Sequence, residues 1–289
     1  MRRGLFAVSK RNFAAKSSPP PPPVPSNSWL AENPTKEAIE QWYAIPNLKQ
    51  KFRKLPSTGP DPHILYQMSM CPFCNKLKTL LAVQKVPHRV VEVDPVSMAE
   101  VPHRTYKKVP QFQCGEGGPL LLDSAEIGNI LAPILDLGRD PESDRWRAWS
   151  GDVLARYLAI TFAWSPGSSA KYVVTHPNLT PAHKVKYLGA GVFMYIAAGR
   201  VVAPKLNKLG YETKEPVASM LLEVRKWGQT LKGGAFYGGA PQPGLVDCDV
   251  FGVLQGVRGH PLYEQVKTEG GDPVRAWMAA MEDRVRGGL

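Results

Sequence analysis

Two cysteines three positions apart, in the run Cys71-Pro72-Phe73-Cys74, are the residues of this sequence best suited to chemistry. A thiol is a useful nucleophile only as thiolate, and the start of a helix lowers its pKa through free backbone N–H groups and the helix dipole. A proline at the first helical position needs no N–H partner. Because Cys74 lies one turn further on, it can reach back to Cys71. The spacing therefore predicts a redox-active thiol pair at a helix N-terminus.

Two other interpretations of the cysteine pair stay open. A zinc site needs four ligands, usually from two such pairs, and the remaining cysteines, Cys114 and Cys248, are single. An inert structural pair in a fold that has lost its chemistry is the stronger alternative. Cys114 and Cys248 lie in or near apolar runs, so we expect them to be buried small hydrophobic residues. Four cysteines in 289 residues suit a thiol-reducing compartment better than a secreted disulfide scaffold.

The elements that must position the cysteines alternate between strand and helix. Apolar periodicity predicts the order βαβαββα, with strands over 63–68, 88–93, 109–113 and 120–122 and helices over 72–84, 95–106 and 124–137. Strand signals fade from about residue 140, and five segments with helical spacing follow. The fold class predicted is α/β plus all-α: a thioredoxin-like βαβαββα domain followed by an all-helical domain.

Two dipeptides of the α/β domain favour a peptide-like ligand beside the cysteines. In a thioredoxin unit, the proline that opens the third strand, here in Val109-Pro110, is usually cis and faces the cysteines. The Val109 backbone would then pair with a ligand such as glutathione. Ser124 can cap the following helix, whose N–H groups suit a carboxylate, and Asp123 could meet an amine. The alternatives are an edge-strand proline and simple helix capping.

The domain organisation predicted is a basic arm over 1–17, a proline-rich extension with a short helix over 18–60, the thioredoxin-like domain over 61–138 and the helical domain over 139–289. The arm holds five basic residues, and no acidic residue precedes Glu32, which is typical of a mitochondrial transit peptide. A disordered basic tail is the alternative. Thr35 is the predicted N-cap of the short helix, which extends to Tyr43.

The net charge of +11 favours acidic partners, which include RNA, anionic lipid and acidic protein faces, without choosing among them. No dedicated nucleic-acid module is indicated. No uncharged apolar stretch reaches 18 residues, so no transmembrane segment is predicted. The longest apolar run, 187–198, is interpreted as a buried helix.

At this level of detail the sequence resembles the type-2, membrane-associated prostaglandin E synthase family of glutathione-transferase-like proteins. The resemblance extends over about 62–286. The matching stretches are 65–67, 71–74, 90–96, 106–110 and 123–124 in the first domain, and 186–190, 194–195, 237–239 and 247–254 in the helical half. The valine-rich strand ending in Asp94-Pro95-Val96, together with the helical half, separates this family from glutaredoxins.

The resemblance implies an active site at Cys71, Cys74 and Phe73, and glutathione bound by Val109, Pro110, Asp123 and Ser124. It also implies haem binding through Cys71, isomerisation of a prostaglandin endoperoxide, and a homodimer. One position departs from the family, which has a tyrosine three residues before its first cysteine. Met68 stands there and offers no hydroxyl.

Three functions follow as hypotheses. The first is a glutathione-dependent thiol enzyme of mitochondria, in which Cys71 attacks and Cys74 resolves. The second is the glutathione-dependent transfer or isomerisation implied by the family. The third is a non-catalytic or assembly subunit of a large mitochondrial complex, such as a mitoribosome assembly particle, that contacts protein or ribonucleoprotein through its basic surface and N-terminal arm.

Overall fold

The computed structural model describes residues 34–286, with the exception of Arg104 and Glu116. The basic arm and the proline run therefore lie outside the described residues. Four strands form one mixed sheet in the order β2-β1-β3-β4, with β1 Ile64–Gln67, β2 Arg89–Glu92, β3 Gln111–Gln113 and β4 Leu120–Leu122. β1 pairs parallel to β2 and antiparallel to β3, and β3 pairs antiparallel to β4.

One predicted element of this domain is wrong: the described residues of 95–106 form turns, bends and irregular backbone instead of a helix. Local hydrogen bonds account for the difference. The Asp94 carboxylate accepts from the backbone N–H groups of Val96 and Ser97, and the Glu100 carboxylate accepts from the N–H of Asp94. Such side-chain bonds give the backbone an alternative to a helix. Pro102 also removes an N–H donor from the interior of the predicted helix.

Two short helices precede the sheet and pack onto the α/β domain. The first, α1 (Lys36–Tyr43), begins as predicted at Thr35, whose hydroxyl accepts from the Ala38 N–H at 3.3 Å. The second, α2 (Leu48–Lys54), was not predicted. Trp42 and Phe52 are buried, and the Tyr43 hydroxyl donates to the carbonyl of Ile130 at 2.7 Å. This part of the extension therefore belongs to the core.

The helix that begins at the cysteine pair, α3 (Pro72–Val83), follows β1, and α4 (Ser124–Leu131) follows β4. The second half of the chain is helical, as predicted. Its helices are α5 Pro141–Trp149, α6 Ala155–Ala163, α7 Pro166–Thr175, α8 Pro181–Ala197, α9 Ala203–Lys208, α10 Pro216–Thr230, α11 Leu245–Gln255, α12 Pro261–Glu269 and α13 Asp272–Val285. π-helical turns join α5 to α6 and α8 to α9.

The two halves meet where α11 packs against α3. Every residue of α11 is buried, so this helix forms the centre of the helical half. Its first turn is fixed by Asp247, which accepts hydrogen bonds from the backbone N–H groups of Gly244 and Tyr237 and from Trp277 Nε1. Within the helical half, α5 is joined to α11 by Arg147, whose Nε donates to Asp249 Oδ2 at 2.7 Å, and both side chains are buried.

The expectation that residues 187–198 form a buried helix is wrong. These residues belong mainly to α8, and no residue of α8 is buried. The continuous helix Pro181–Lys208 has 28 residues, and an 18-residue stretch within it has a mean hydropathy of 1.3, so by length and composition alone it could cross a bilayer. The sequence argument failed because an apolar helical pattern does not reveal whether a neighbouring element covers it.

Candidate functional site

Three segments that sequence analysis selected meet at one edge of the sheet. β1 ends at Gln67 and leads into the turn that carries Cys71, while Pro110 directly precedes β3 and Asp123 directly follows β4. In the sheet, Tyr66 is paired with Gln111, and Gln111 with Leu122. At the next position of the same register, Gln67, Pro110 and Asp123 lie side by side. The peptide bond between Val109 and Pro110 is cis, as predicted.

The turn before Cys71 is held by side chains from two other elements. Asn75 Nδ2 donates to the carbonyls of Ser69 and Cys71, at 2.8 and 2.9 Å. The Glu92 carboxylate accepts from the Ser69 N–H at 2.7 Å and from its hydroxyl at 2.8 Å. Because these bonds fix the backbone on both sides of Met70, Cys71 is presented in one position at the start of α3.

The two thiols have opposite environments. Cys71 is partly exposed and Cys74 is fully buried. The pKa of Cys71 is lowered, first because the Cys74 thiol donates to its sulfur and then because the backbone N–H groups of Cys74 and Phe73 point at it. Burial raises the pKa of Cys74 well above its ordinary value. Cys71 is therefore the thiolate of the pair and Cys74 the proton donor.

Met68, which stands where the family has a tyrosine, does not disturb the arrangement of the two thiols. The backbone N–H of Met68 donates to Cys74 Sγ at 3.5 Å, and any side chain at that position supplies the same N–H. A chain of donors therefore extends from the Met68 N–H through Cys74 to Cys71. The hydroxyl that the family resemblance implies at position 68 is absent, but the thiol pair does not depend on it.

Replacing Cys74 by alanine should raise the pKa of Cys71 towards that of an ordinary thiol, because the largest of the groups that lower it is removed. The measurement is the pH dependence of Cys71 alkylation by iodoacetamide. In the variant, the midpoint should move to higher pH, so alkylation near neutral pH should slow. An unchanged midpoint would show that Cys74 does not stabilise the thiolate.

Among the predicted glutathione residues, the N-cap of α4 is not the one that the sequence indicated. Asp123, not Ser124, is the N-cap of α4, and its Oδ1 accepts from the N–H groups of Ala125 and Glu126. Its backbone φ is +66°, a region that favours short polar side chains such as Asp. Ser124 is the first helical residue and is buried. Both still lie at the helix N-terminus, where an anion is favoured.

An apolar cavity of about 670 Å³ opens beside Cys71. Met68, Met70, Cys71 and Pro72 form one side of it, and residues of α6, α7, α8 and α11 form the remainder. Val109, Pro110, Asp123 and Ser124 do not line it. Cys71 therefore lies between the apolar cavity and the segment where the predicted glutathione residues meet.

Sequence analysis missed Tyr187, which lines this cavity from α8. Its hydroxyl is buried and has no hydrogen-bond partner in the part of the chain that the structure describes. Burial raises the pKa of Tyr187, and the nearby Glu92 and Cys71 raise it further. Tyr187 lies within the stretch 186–190 that matches the family, but nothing in that stretch indicated a place beside Cys71.

Cys114 and Cys248 are both fully buried and unpaired, as predicted.

The exposed ring of Phe73 lies 5.8 Å from Lys76 Nζ, measured to the ring centre. Within the described residues, no group of three or more His, Cys, Asp or Glu side chains is arranged to hold a metal ion.

The fold and the thiol pair define a glutathione-transferase-like protein whose first domain is of the glutaredoxin type. The glutaredoxin family profile matches residues 64–116. The beta-etherase LigF from Sphingobium sp. strain SYK-6 superposes with a TM-score of 0.52 at 15% identity, over 77% of this chain and 98% of its own. A glutathione S-transferase of Ceriporiopsis subvermispora in complex with glutathione gives 0.51 at 15% identity, over 77% and 97%. These two likenesses show the fold alone.

Sequence comparison confirms the predicted resemblance to type-2 prostaglandin E synthases. The chain is 25% identical over 284 residues to prostaglandin E synthase 2 of Mus musculus, which covers 79% of this chain and 72% of the relative. It is 24% identical over 272 residues to prostaglandin E synthase 2 of Danio rerio, covering 75% and 70%.

Proposed function

We propose that this chain is a glutathione-linked thiol protein in which Cys71 is the nucleophile of thiol–disulfide exchange. The observation that carries the proposal is the position of Cys71 at the N-terminus of α3 with the Cys74 thiol behind it, an arrangement that lowers the pKa of Cys71. A buried resolving thiol one turn away is what a two-cysteine exchange cycle requires. The matching glutaredoxin profile and the glutathione-bound structural relative support the same chemistry.

Glutathione would bind across the edge of the sheet where the three segments meet. The Val109 backbone, before the cis bond, would pair with the peptide backbone of glutathione. The γ-glutamyl carboxylate would lie at the N-terminus of α4, against Ser124. Both hydrogen bonds of the Asp123 cap use Oδ1, so Oδ2 is in place for the γ-glutamyl amine. The glutathione sulfur would then point towards Cys71.

The reaction proceeds by two displacements. The Cys71 thiolate attacks the glutathione sulfur of a mixed disulfide; an S–S bond forms between Cys71 and glutathione as the substrate's S–S bond breaks, and the substrate leaves as thiolate. A second glutathione thiolate then attacks the glutathione sulfur bound to Cys71. Glutathione disulfide forms and is released, and Cys71 returns to the thiolate. Alternatively, the Cys74 thiolate attacks the Cys71 sulfur, so that a Cys71–Cys74 disulfide forms as glutathione leaves as thiolate. Two glutathione molecules then reduce that disulfide and leave as glutathione disulfide.

The apolar cavity supports a second candidate, glutathione-dependent transfer to, or isomerisation of, an apolar molecule. Cys71 lines this cavity, and the relatives are prostaglandin E synthases. Such a reaction would require Cys71 but not the resolving Cys74. The haem that the family resemblance implies forms no part of either proposal.

Purified protein should reduce a glutathione mixed disulfide in the presence of glutathione, and Cys71→Ser should lower the rate at least about a hundredfold, because a serine hydroxyl is not ionised near neutral pH. The assay follows glutathione disulfide formation. Cys114→Ser is the matched control, since Cys114 is buried away from the cavity. If the folded wild type has no activity while Cys71 still reacts with iodoacetamide, the proposal of thiol–disulfide exchange is contradicted.

Mitochondrial localisation remains part of the proposal, because it depends on the basic arm outside the described residues. The alternative, an assembly subunit of a large mitochondrial complex, depends on the same arm and on the positive charge. Affinity isolation from mitochondria in mild salt distinguishes the enzyme from the assembly subunit. A protein that migrates alone supports the enzyme, whereas one held in a large particle supports the subunit.

A further inference from the structure

The release of glutathione by Cys74 requires a proton acceptor that the thiol pair does not contain. Cys74 attacks as thiolate, yet burial and then the negative charge of Cys71 raise its pKa well above the ordinary value. The Cys74 side chain is fully buried, so no water touches the sulfur to take its proton. Once Cys71 is bound to glutathione, it cannot take the proton either. A neighbouring group must therefore accept it.

The carboxylate of Glu92 lies beside the thiol pair. The N–H of Met68 donates to Cys74 Sγ at 3.5 Å. The next N–H along the chain, that of Ser69, donates to Glu92 Oε1 at 2.7 Å. Because consecutive residues are about 3.8 Å apart, the sulfur and the carboxylate are held by the same turn. The negative charge of Glu92 also raises the pKa of both Cys71 and Cys74, so it acts on both thiols.

The surroundings of Glu92 make it a stronger base than an ordinary carboxylate. Burial raises its pKa, and hydrogen bonds to the carboxylate offset this effect only in part. Burial also raises the pKa of Tyr187, so that hydroxyl keeps its proton and is not the acceptor. The polar and charged groups that face Glu92 are Ser69 and Gln67 before α3, Cys71, Cys74 and Lys78 at or on α3, and His183 and Tyr187 on α8.

Proton transfer from Cys74 to Glu92 keeps the charge of this buried region constant. While Cys71 is a thiolate, its charge opposes a second negative charge on Cys74. In the mixed disulfide with glutathione, Cys71 is uncharged and that opposition is gone. When Glu92 takes the proton, one negative charge moves from the carboxylate to the sulfur and none is added. The cost of burying a second charge is therefore avoided.

We propose that Glu92 accepts the proton of Cys74 in the resolving step, an inference that rests on the proposed thiol–disulfide exchange. With glutathione on Cys71, the proton of the Cys74 thiol passes to the Glu92 carboxylate. The Cys74 sulfur forms an S–S bond to Cys71 as the bond between Cys71 and glutathione breaks, and glutathione leaves with the electron pair as thiolate. Glu92 is partly exposed and afterwards gives the proton to water.

A single reaction measures attack and resolution together. Reduced protein is mixed with glutathione disulfide and quenched with acid at short times, and mass spectrometry measures the mixed disulfide and the Cys71–Cys74 disulfide. Glu92→Gln should form the mixed disulfide at least as fast as wild type, because the charge that raises the pKa of Cys71 is removed. It should resolve that disulfide at least about tenfold more slowly near neutral pH.

The pH dependence distinguishes a proton acceptor from a structural group. Wild-type resolution should slow as the pH falls through the pKa of Glu92, because the protonated carboxyl accepts no proton. In Glu92→Gln, resolution should instead rise with pH until Cys74 ionises without help. The glutamine keeps an oxygen for the Ser69 N–H, so the turn retains this bond.

Two further variants serve as controls. Glu100→Gln is the matched control, since Glu100 also accepts from a backbone N–H, that of Asp94, in the loop after β2. It should resolve the mixed disulfide as wild type does. Ser69→Ala removes the hydroxyl that donates to Glu92 but leaves the carboxylate in place, so its pH profile should keep the shape of the wild-type profile.

Two results would overturn the inference alone. One is resolution by Glu92→Gln with the rate and pH profile of wild type. The other is the same loss and the same altered profile in Ser69→Ala, which would show that Glu92 acts only by holding the turn. A wild type that never carries glutathione on Cys71 would contradict the proposed function, and this inference with it. Melting temperatures and Cys71 alkylation verify that each variant is folded.

Discussion

Replacing Gly252 by alanine should destabilise the protein and disturb Cys71 as well. Gly252 lies in α11 where it crosses α3, and a Cβ there would be 2.4 Å from the Cα of Lys76 and 2.6 Å from the carbonyl oxygen of Asn75. Both are backbone atoms of α3, so the contact can be relieved only by moving the helix. Overpacking of this kind costs at least about 2 kcal/mol.

The same displacement should reach the thiol, because the Asn75 side chain holds the turn before Cys71. We expect a lower free energy of unfolding by urea denaturation and slower alkylation of Cys71 in the folded fraction. Gly189→Ala is the matched control. Gly189 lies in α8 with no atom within 4 Å of its added Cβ, so alanine there should be neutral or stabilise the helix slightly. Equal behaviour of the two variants would refute the close packing of α3 on α11.

Replacing Asp247 by alanine should be the most destabilising single change in the helical half. The side chain is fully buried and accepts from the Tyr237 and Gly244 N–H groups and from Trp277 Nε1. Alanine would leave three donors without a partner, away from water. At about 1–3 kcal/mol for each unsatisfied donor, we expect a loss of about 4 kcal/mol.

The comparison variant is Asp272→Ala, at the first residue of α13. Asp272 is highly exposed and pairs with the exposed Arg275, so its loss should cost less than about 1 kcal/mol. Urea denaturation of both variants gives the difference directly. If Asp247→Ala is no more destabilising than Asp272→Ala, then Asp247 does not fix the first turn of α11.

The thiol site was predictable because its signals are local. Cysteine spacing, a proline at the first helical position and a preceding apolar strand are all contained in a dozen residues around Cys71. The cis bond at Pro110 followed from its place before a strand. The N-cap of α4 was misplaced by one residue, because Asp and Ser are both good caps and only the backbone φ of Asp123 distinguishes them.

Contacts between distant segments could not be predicted from the sequence. The burial of α11 and the exposure of α8 depend on which elements pack together, although both helices have similarly apolar sequences. Tyr187 enters the cavity for the same reason, more than a hundred residues after Cys71. The turns over 95–106 reflect competition from the carboxylates of Asp94 and Glu100, which a periodicity count does not detect.

The central claim is that Cys71 exchanges disulfides with glutathione, and trapping tests it most directly. In the Cys74→Ala variant the resolving thiol is absent, so a mixed disulfide with glutathione should persist on Cys71. The variant is incubated with glutathione disulfide, and each cysteine is then assigned by peptide mass spectrometry. We predict glutathione on Cys71 and none on the buried Cys114 or Cys248. An unmodified Cys71 in the folded protein would contradict the account.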